Sequence, residues 1–153
     1  MKIAILTLAI GETYRENMHY AIRSKEEYCK RHGYDLIDDE TVYDRSRPIA
    51  WSKVLLIKKY LPLYDYIVWI DADAIILDLQ QTIESKIRLM NGKDICVTTV
   101  YGMINTGVML VKNTTRSMAL MDLVYIQKQY INDGNWEQSA FIHILEKNID
   151  NMS

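Results

Sequence analysis

The sequence predicts an α/β fold, a mostly parallel sheet with helices on both faces. Two observations carry that expectation. Short apolar, β-branched runs alternate along the chain with segments of 3.6-residue apolar period, and the first run, Lys2 to Ala9, is apolar at successive positions, as a strand covered on both faces requires. Length and composition agree. The chain has 153 residues, of which 49% are hydrophobic and 25% charged, enough for one domain on the scale of roughly 100–200 residues per domain. Only six glycines and two prolines are present, so collagen-like and disordered classes are excluded.

The elements follow in order. Lys2 to Ala9 opens the sheet and Gly11 closes it. From Glu12 to His32, Tyr14, Met18, Ala21, Ile22, Tyr28 and Cys29 fall on one side of a helix. Gly33 ends it after Lys30, Arg31 and His32, placing cations at the negative end of the dipole. Tyr34 to Ile37 is a short strand, and Asp38 to Arg47 reads as an exposed connection. Pro48 starts a helix whose apolar side includes Ile49, Trp51, Val54, Leu55 and Leu61, with Trp51 in the core. Tyr66 to Ile70 is a strand, Gln80 to Met90 a helix, and Asn91-Gly92 a turn. Two further strands fit Ile95 to Val100 and Gly107 to Val111, and two closing helices fit Thr115 to Ile131 and Trp136 to Lys147.

Charge and cysteine content narrow the function. A net charge of −2 gives no basic field for nucleic acid. Cys29 and Cys96 could form one bridge at most, which suits a reducing compartment and a structural role for both. No apolar stretch approaches the roughly 18 residues of a membrane span, and the first residues lack a signal-peptide pattern. The expectation is a cytoplasmic protein, or a lumenal Golgi one if a leader or anchor has been removed.

The strongest chemical signal is Asp71-Ala72-Asp73 at the end of the Tyr66–Ile70 strand. Ligands of open α/β sheets bind beyond the carboxyl ends of strands. On an extended chain, residues i and i+2 share a side, so both carboxylates could meet one hard divalent cation while Ala72 leaves room for a ligand. A cation held by two carboxylates keeps positions open for diphosphate oxygens. Isolated from its context, the same tripeptide is an ordinary strand-ending turn.

Several segments in a fixed order then bear on the question: the opening strand with its Gly11 loop, Tyr28-x4-Gly33-Tyr34, Pro48-x2-Trp51-x-Lys53, Trp69-Ile70-Asp71-Ala72-Asp73-Ala74, Asn105-Thr106-Gly107 and Trp136-Glu137-Gln138-Ser139-Ala140. Together they resemble glycosyltransferases with the Rossmann-like GT-A fold (nucleotide-diphospho-sugar transferases). The nearest resemblance is to the family 34-like group of fungal galactosyl- and mannosyltransferases and plant xyloglucan xylosyltransferases. Small glycosyltransferase domains of large algal viruses are similar too. A single GT-A domain over 1–153 is expected.

The resemblance implies a metal-dependent transfer of sugar from a nucleoside-diphosphate donor, UDP- or GDP-linked, to a glycan hydroxyl, with Mn²⁺ or Mg²⁺. Asp73 would bind the metal directly, and Asp71 the metal, the donor ribose or both. Thr7, Leu8, Ala9 and Gly11 would meet the nucleotide base, and Lys53 the diphosphate; a solvated helix lysine is the plain alternative for Lys53. Asn105, Thr106 and Gly107 would lie beside the transferred sugar, as an amide that donates and accepts and a glycine that admits close approach suit. An inverting reaction would use Glu137, or Asp133 near it, as general base. A retaining one would place Gln138 beside the reacting carbon. Glu137 also has a plain reading, as an acid in the first turn of a helix. Related enzymes add a histidine ligand beyond the Glu-Gln helix, whereas this chain stops at Asn151-Met152-Ser153, so the domain is expected to be short at that end. His19, His32 and His143 match no ligand position. The competing function is a nucleotide- or sugar-binding domain of degenerate transferase fold.

Overall fold

A computed structural model describes residues 1–150, with side chains through Glu146. Asn151, Met152 and Ser153, where the sequence stops short of the family's histidine ligand, lie outside the described residues. One five-stranded sheet has the order β2-β1-β3-β5-β4, made from β1 (Ile3–Leu6), β2 (Asp35–Ile37), β3 (Tyr66–Ile70), β4 (Ile95–Val100) and β5 (Met103–Lys112). The β1–β2 and β1–β3 ladders are parallel; β5 is reversed and pairs antiparallel with both β3 and β4. The sheet is therefore mixed around a parallel core. Tyr101 and Gly102 explain the reversal, since both have positive φ (51° and 79°) and close a two-residue hairpin that antiparallel strands alone can share.

Among the described residues, six α-helices surround the sheet: α1 (Glu12–Asn17), α2 (His19–His32), α3 (Ser52–Tyr60), α4 (Ile83–Leu89), α5 (Thr115–Tyr125) and α6 (Glu137–Asp150). Alternation along the strands sorts the core. Ala4, Leu6, Ile67, Trp69, Met109 and Val111 face α3, α5 and α6 with Trp51, Leu56, Met121 and Phe141. Ile3, Ile5, Val68, Ile70 and Leu110 face α2 and α4 with Tyr28, Cys29 and Ile83. Both faces of β1 and β3 are thus dry, which is why those strands lack a polar side, whereas the edge strand β4 leaves Cys96, Thr98 and Thr99 exposed.

Several elements differ from the sequence expectation, each for a local reason. The helix expected over 12–32 breaks at Met18 into α1 and α2, because α1 buries no residue and nothing holds it in line with α2. Pro48 precedes a 3₁₀ turn (Ile49–Trp51) before α3 begins. Thr82 and Thr114 cap α4 and α5 by accepting from the Ser85 and Ser117 backbone N–H groups, which starts α4 later than its apolar period suggests. The expected helix to Ile131 ends at Tyr125 and gives way to a 3₁₀ turn, Lys128–Tyr130.

The Asn105-Thr106-Gly107 segment lies inside β5 rather than before it. Pairing with β4 jumps from Val97–Met109 to Thr98–Asn105, so Thr106, Gly107 and Val108 have no partner on β4. That bulge sits where β3 ends, with the Asp71 N–H donating to the Gly107 carbonyl (2.8 Å).

Candidate active site

The order of the sheet changes direction at β1, whose neighbours β2 and β3 come from opposite crossovers. A crevice is expected beyond the carboxyl ends of such strands. A cleft of about 660 Å³ lies there, lined by Leu8, Ile10 and Tyr14 after β1, Asp71, Ala72 and Asp73 after β3, Asn105, Thr106 and Gly107 in the β5 bulge, and Lys53, Glu137 and Gln138 from the helices.

Asp71 to Ala74 is a turn, closed by the Ala74 N–H donating to the Asp71 carbonyl (3.1 Å). The two carboxylates therefore share a cleft by turn geometry and not by extended-strand alternation. Asp71 Oδ1 accepts from Trp69 Nε1 (2.6 Å) and lies 3.2 Å from Lys53 Nζ, while Oδ2 has no hydrogen-bond partner among the described residues. Asp73 is exposed and likewise unpartnered among them. Gly107 leaves room for both tips: a Cβ there would stand 3.0 Å from Asp71 Oδ2 and 2.9 Å from Asn105 Oδ1 and would push these side chains aside.

Lys53 is neither solvated nor free. Its side chain is 5% exposed and its Nζ donates to Glu137 Oε1 (2.8 Å) and the Thr106 carbonyl (3.0 Å). Glu137 is 3% exposed, and its second oxygen, Oε2, has no partner among the described residues. Gln138 Oε1 accepts from the Thr106 N–H (3.0 Å). Helix α6 is thereby pinned to the bulge by consecutive residues.

Other sequence candidates stand apart from the cleft. Asp133 accepts from the Asn135 N–H and the Ser139 hydroxyl, bonds that lower its carboxyl below the usual value and tie it to the start of α6. Thr7 and Ala9 are fully buried, and Gly11 (φ 89°) is the turn that opens α1; of the Thr7–Gly11 set, Leu8 and Ile10 line the cleft. His32 bonds the Leu79 carbonyl, and His19 that of Glu16. Cys29 is buried and Cys96 exposed, both as free thiols.

Three residues were missed. Lys25 is completely buried, and its ammonium donates to the carbonyls of Ala74 (2.6 Å), Ala72 (3.1 Å) and Ala21 (3.2 Å), holding the Asp71–Ala74 turn from behind. Burial lowers its pKa to about 8, against the opposing pull of Asp73, Asp71 and Asp38. Asp38, assigned to an exposed connection, binds the Ala9 N–H and Arg15 and so fixes the loop after β1; burial raises its carboxyl above the usual value. Tyr14, assigned to the apolar face of a helix, instead lines the cleft, where burial and then the charges of Asp73 and Asp71 raise its phenol.

A two-carboxylate set with free oxygens fits a Mg²⁺- or Mn²⁺-class cation that completes its shell with phosphate and water. No cluster of three or more His, Cys, Asp or Glu side chains that could hold a metal occurs among the described residues.

The profile of the galactosyl transferase GMA12/MNN10 family matches residues 1–92. The chain belongs to that family. Arabidopsis thaliana xyloglucan 6-xylosyltransferase 1 is 28% identical over 117 residues, which cover 68% of this chain and 25% of that protein. The chain thus spans about a quarter of the length of this curated relative. Among solved structures, a glycosyltransferase involved in the glycosylation of the major capsid of PBCV-1 superposes with a TM-score of 0.74 at 17% identity, over 96% of this chain and 77% of that one. Drosophila β-1,4-galactosyltransferase 7, a mutant in complex with manganese, UDP-Gal and xylobiose, gives 0.54 at 15% identity, over 97% and 63%. The family member described here therefore has the GT-A fold. No helix among its described residues is long and apolar enough to cross a membrane.

Proposed function

We propose that the protein transfers a sugar from a nucleoside-diphosphate donor to a glycan hydroxyl with the help of one divalent cation held by Asp73 and Asp71. The observation that supports this reading is the pair of carboxylates at the end of β3, with Asp73 and Asp71 Oδ2 unengaged by protein in the cleft of a family whose relatives are named glycosyltransferases. The cation would neutralise charge gathering on the departing diphosphate. Leu8, Ile10 and Tyr14 offer an apolar and aromatic wall for the base on the β1 side. Asn105 and Gln138 offer amides to sugar hydroxyls on the β5 side, and Gly107 lets the backbone approach.

Lys53 and Glu137 take roles other than those their positions suggest. Lys53 orients Asp71 and Glu137 together, and a proton taken up by Glu137 would leave a buried ammonium facing a neutral acid. Glu137 is better suited to hold a donor hydroxyl through its unpartnered Oε2 than to deprotonate the acceptor. This favours a retaining course, with the Gln138 amide beside the reacting carbon. The same pairing of Glu137 with Lys53 also suits a second reading, a domain that binds nucleotide sugar without turnover.

Calorimetry with UDP and with GDP, each with and without Mn²⁺, tests the proposal. Metal-dependent binding of one nucleotide, weakened at least tenfold by Asp73→Asn, is expected; metal-independent binding would refute it. Donor hydrolysis or transfer that disappears in Asp73→Asn decides for the enzyme over the binding domain.

A further inference from the structure

Trp136 is the one bulky residue of the cleft wall with a left-handed backbone. Its φ is 49°, a conformation that strains a bulky side chain and persists only where the surroundings impose it. The surroundings are clear: the Trp136 N–H donates to the Asp133 carbonyl (3.1 Å), Asp133 in turn receives the Asn135 N–H and the Ser139 hydroxyl, and Glu137 is anchored on Lys53. The imposed backbone leaves Trp136 45% exposed, lining the cleft, with no hydrogen bond to its indole N–H among the described residues. The other two tryptophans, Trp51 and Trp69, are buried and hydrogen-bonded.

The chemistry around Trp136 differs from that of the rest of the cleft. Its chain neighbours in the lining are the uncharged Gly134, Asn135 and Gln138, together with Glu137, whose carboxylate is buried against Lys53. The acidic rim belongs to the turn after β3, and Tyr14 belongs to the β1 side. The sheet order places β5, on which α6 packs, on the opposite side of β3 from β1. An exposed indole flanked by two amides suits a neutral polyol: the π face attracts the C–H hydrogens of a sugar ring, and the amides pair with its hydroxyls.

We infer that Trp136 is the platform on which the saccharide acceptor stacks, with Asn135 and Gln138 beside it. The inference rests on the transferase reading of the cleft and adds to it the acceptor end, which no residue had been assigned.

Tryptophan fluorescence of the full chain reads this site directly, because only the exposed indole is open to iodide. With UDP and Mn²⁺ present, cellotetraose, mannotetraose and xylotetraose are titrated in turn. At least one is expected to shield the fluorescence from iodide, and no shielding is expected in Trp136→Phe. The decisive variant is Trp136→Gly, since glycine accepts φ 49° without strain and the fold survives the loss of the indole. Its affinity for the shielding saccharide, read by calorimetry because the reporter indole is gone, is expected to fall about 30-fold, a typical loss for an aromatic anchor covered by its ligand, while UDP–Mn²⁺ affinity stays within about twofold. Shielding by none of the three saccharides, with UDP–Mn²⁺ still bound, overturns the inference and leaves the donor reading standing. A parallel fall in UDP–Mn²⁺ affinity in Trp136→Gly also overturns it, by moving the indole to the donor end. Absence of nucleotide binding in the unaltered protein removes the transferase reading and the inference with it.

Discussion

Two buried lysines approach the same acidic turn from opposite faces of β3, and they are stabilised in opposite ways. Lys53, on the α3 face, meets carboxylates: Glu137 at 2.8 Å and Asp71 at 3.2 Å. Lys25, on the α2 face, meets carbonyl dipoles alone, two of them from the turn itself. The first is a charge cancelled where it stands; the second is a charge left to distant acids, and burial pushes its pKa down to about 8. The difference teaches what each can do. Lys53 ties side chains of three segments together, whereas Lys25 shapes backbone, and so reaches the carboxylates only through the peptide that carries them.

The sharpest break of this comparison is Lys53→Met. It strands Glu137 as an uncompensated buried carboxylate, for which a loss of about 3–5 kcal/mol in urea unfolding is expected. Adding Glu137→Gln is expected to recover part of that loss, and strictly additive effects would mean that the two do not act as a pair. Lys25→Met is milder. It deprives the carbonyls of Ala72 and Ala74 of a donor, at about 1–3 kcal/mol for each such group, but also removes a buried charge. A net change below about 2 kcal/mol is expected, together with roughly tenfold weaker UDP–Mn²⁺ binding by calorimetry as the turn relaxes. Unchanged binding would show that the turn keeps its shape unaided.

The pH dependence separates the two lysines further. Because the folded value for Lys25 lies below the free lysine value of 10.5, the unfolded chain holds more protons between about pH 8 and 10.5, and stability rises with pH across that window. The unaltered protein is expected to gain about 2 kcal/mol on Lys25→Met between pH 7.5 and pH 10, and parallel urea curves at both pH values would contradict the burial argument. The smallest effect concerns a third cation. Arg47 lies with its guanidinium 3.9 Å from the Tyr125 ring centroid and 4.9 Å from that of Trp51, donating to the Tyr125 carbonyl (2.6 Å). Arg47→Lys is expected to cost about 1 kcal/mol through lost stacking, with nucleotide binding intact.

The layers of the fold were legible because they rest on short-range pattern: β-branched runs, a glycine after a basic helix end, an acidic turn at a strand's carboxyl end. The reversal of β5 was not, since it depends on Tyr101 adopting a positive φ, which tyrosine gives no reason to expect. The site divided in the same way. Asp71, Asp73, Gly107 and Gln138, which the structure gathers around one cleft, could be singled out because their residue types suggest a chemistry. Lys53 and Glu137 were found but read as separate actors, because 84 residues separate them and pairing at that distance leaves no periodic trace. Lys25 did leave one: it falls in the apolar stripe of α2, four residues after Ala21 and four before Cys29, where a lysine must be either misplaced or enlisted. Asp38 and Tyr14 had no such mark.

The bulge in β5 has one more consequence. Beyond Asn105 the hairpin pairs only with itself, so the stretch from Thr98 to Met103 overhangs the layer like a cantilever, with Tyr101 98% exposed at its tip. Changes of length or composition out there load no helix and leave the acidic turn undisturbed. Evolution, or an engineer, can therefore graft a new tip onto this enclosure without rebuilding its floor.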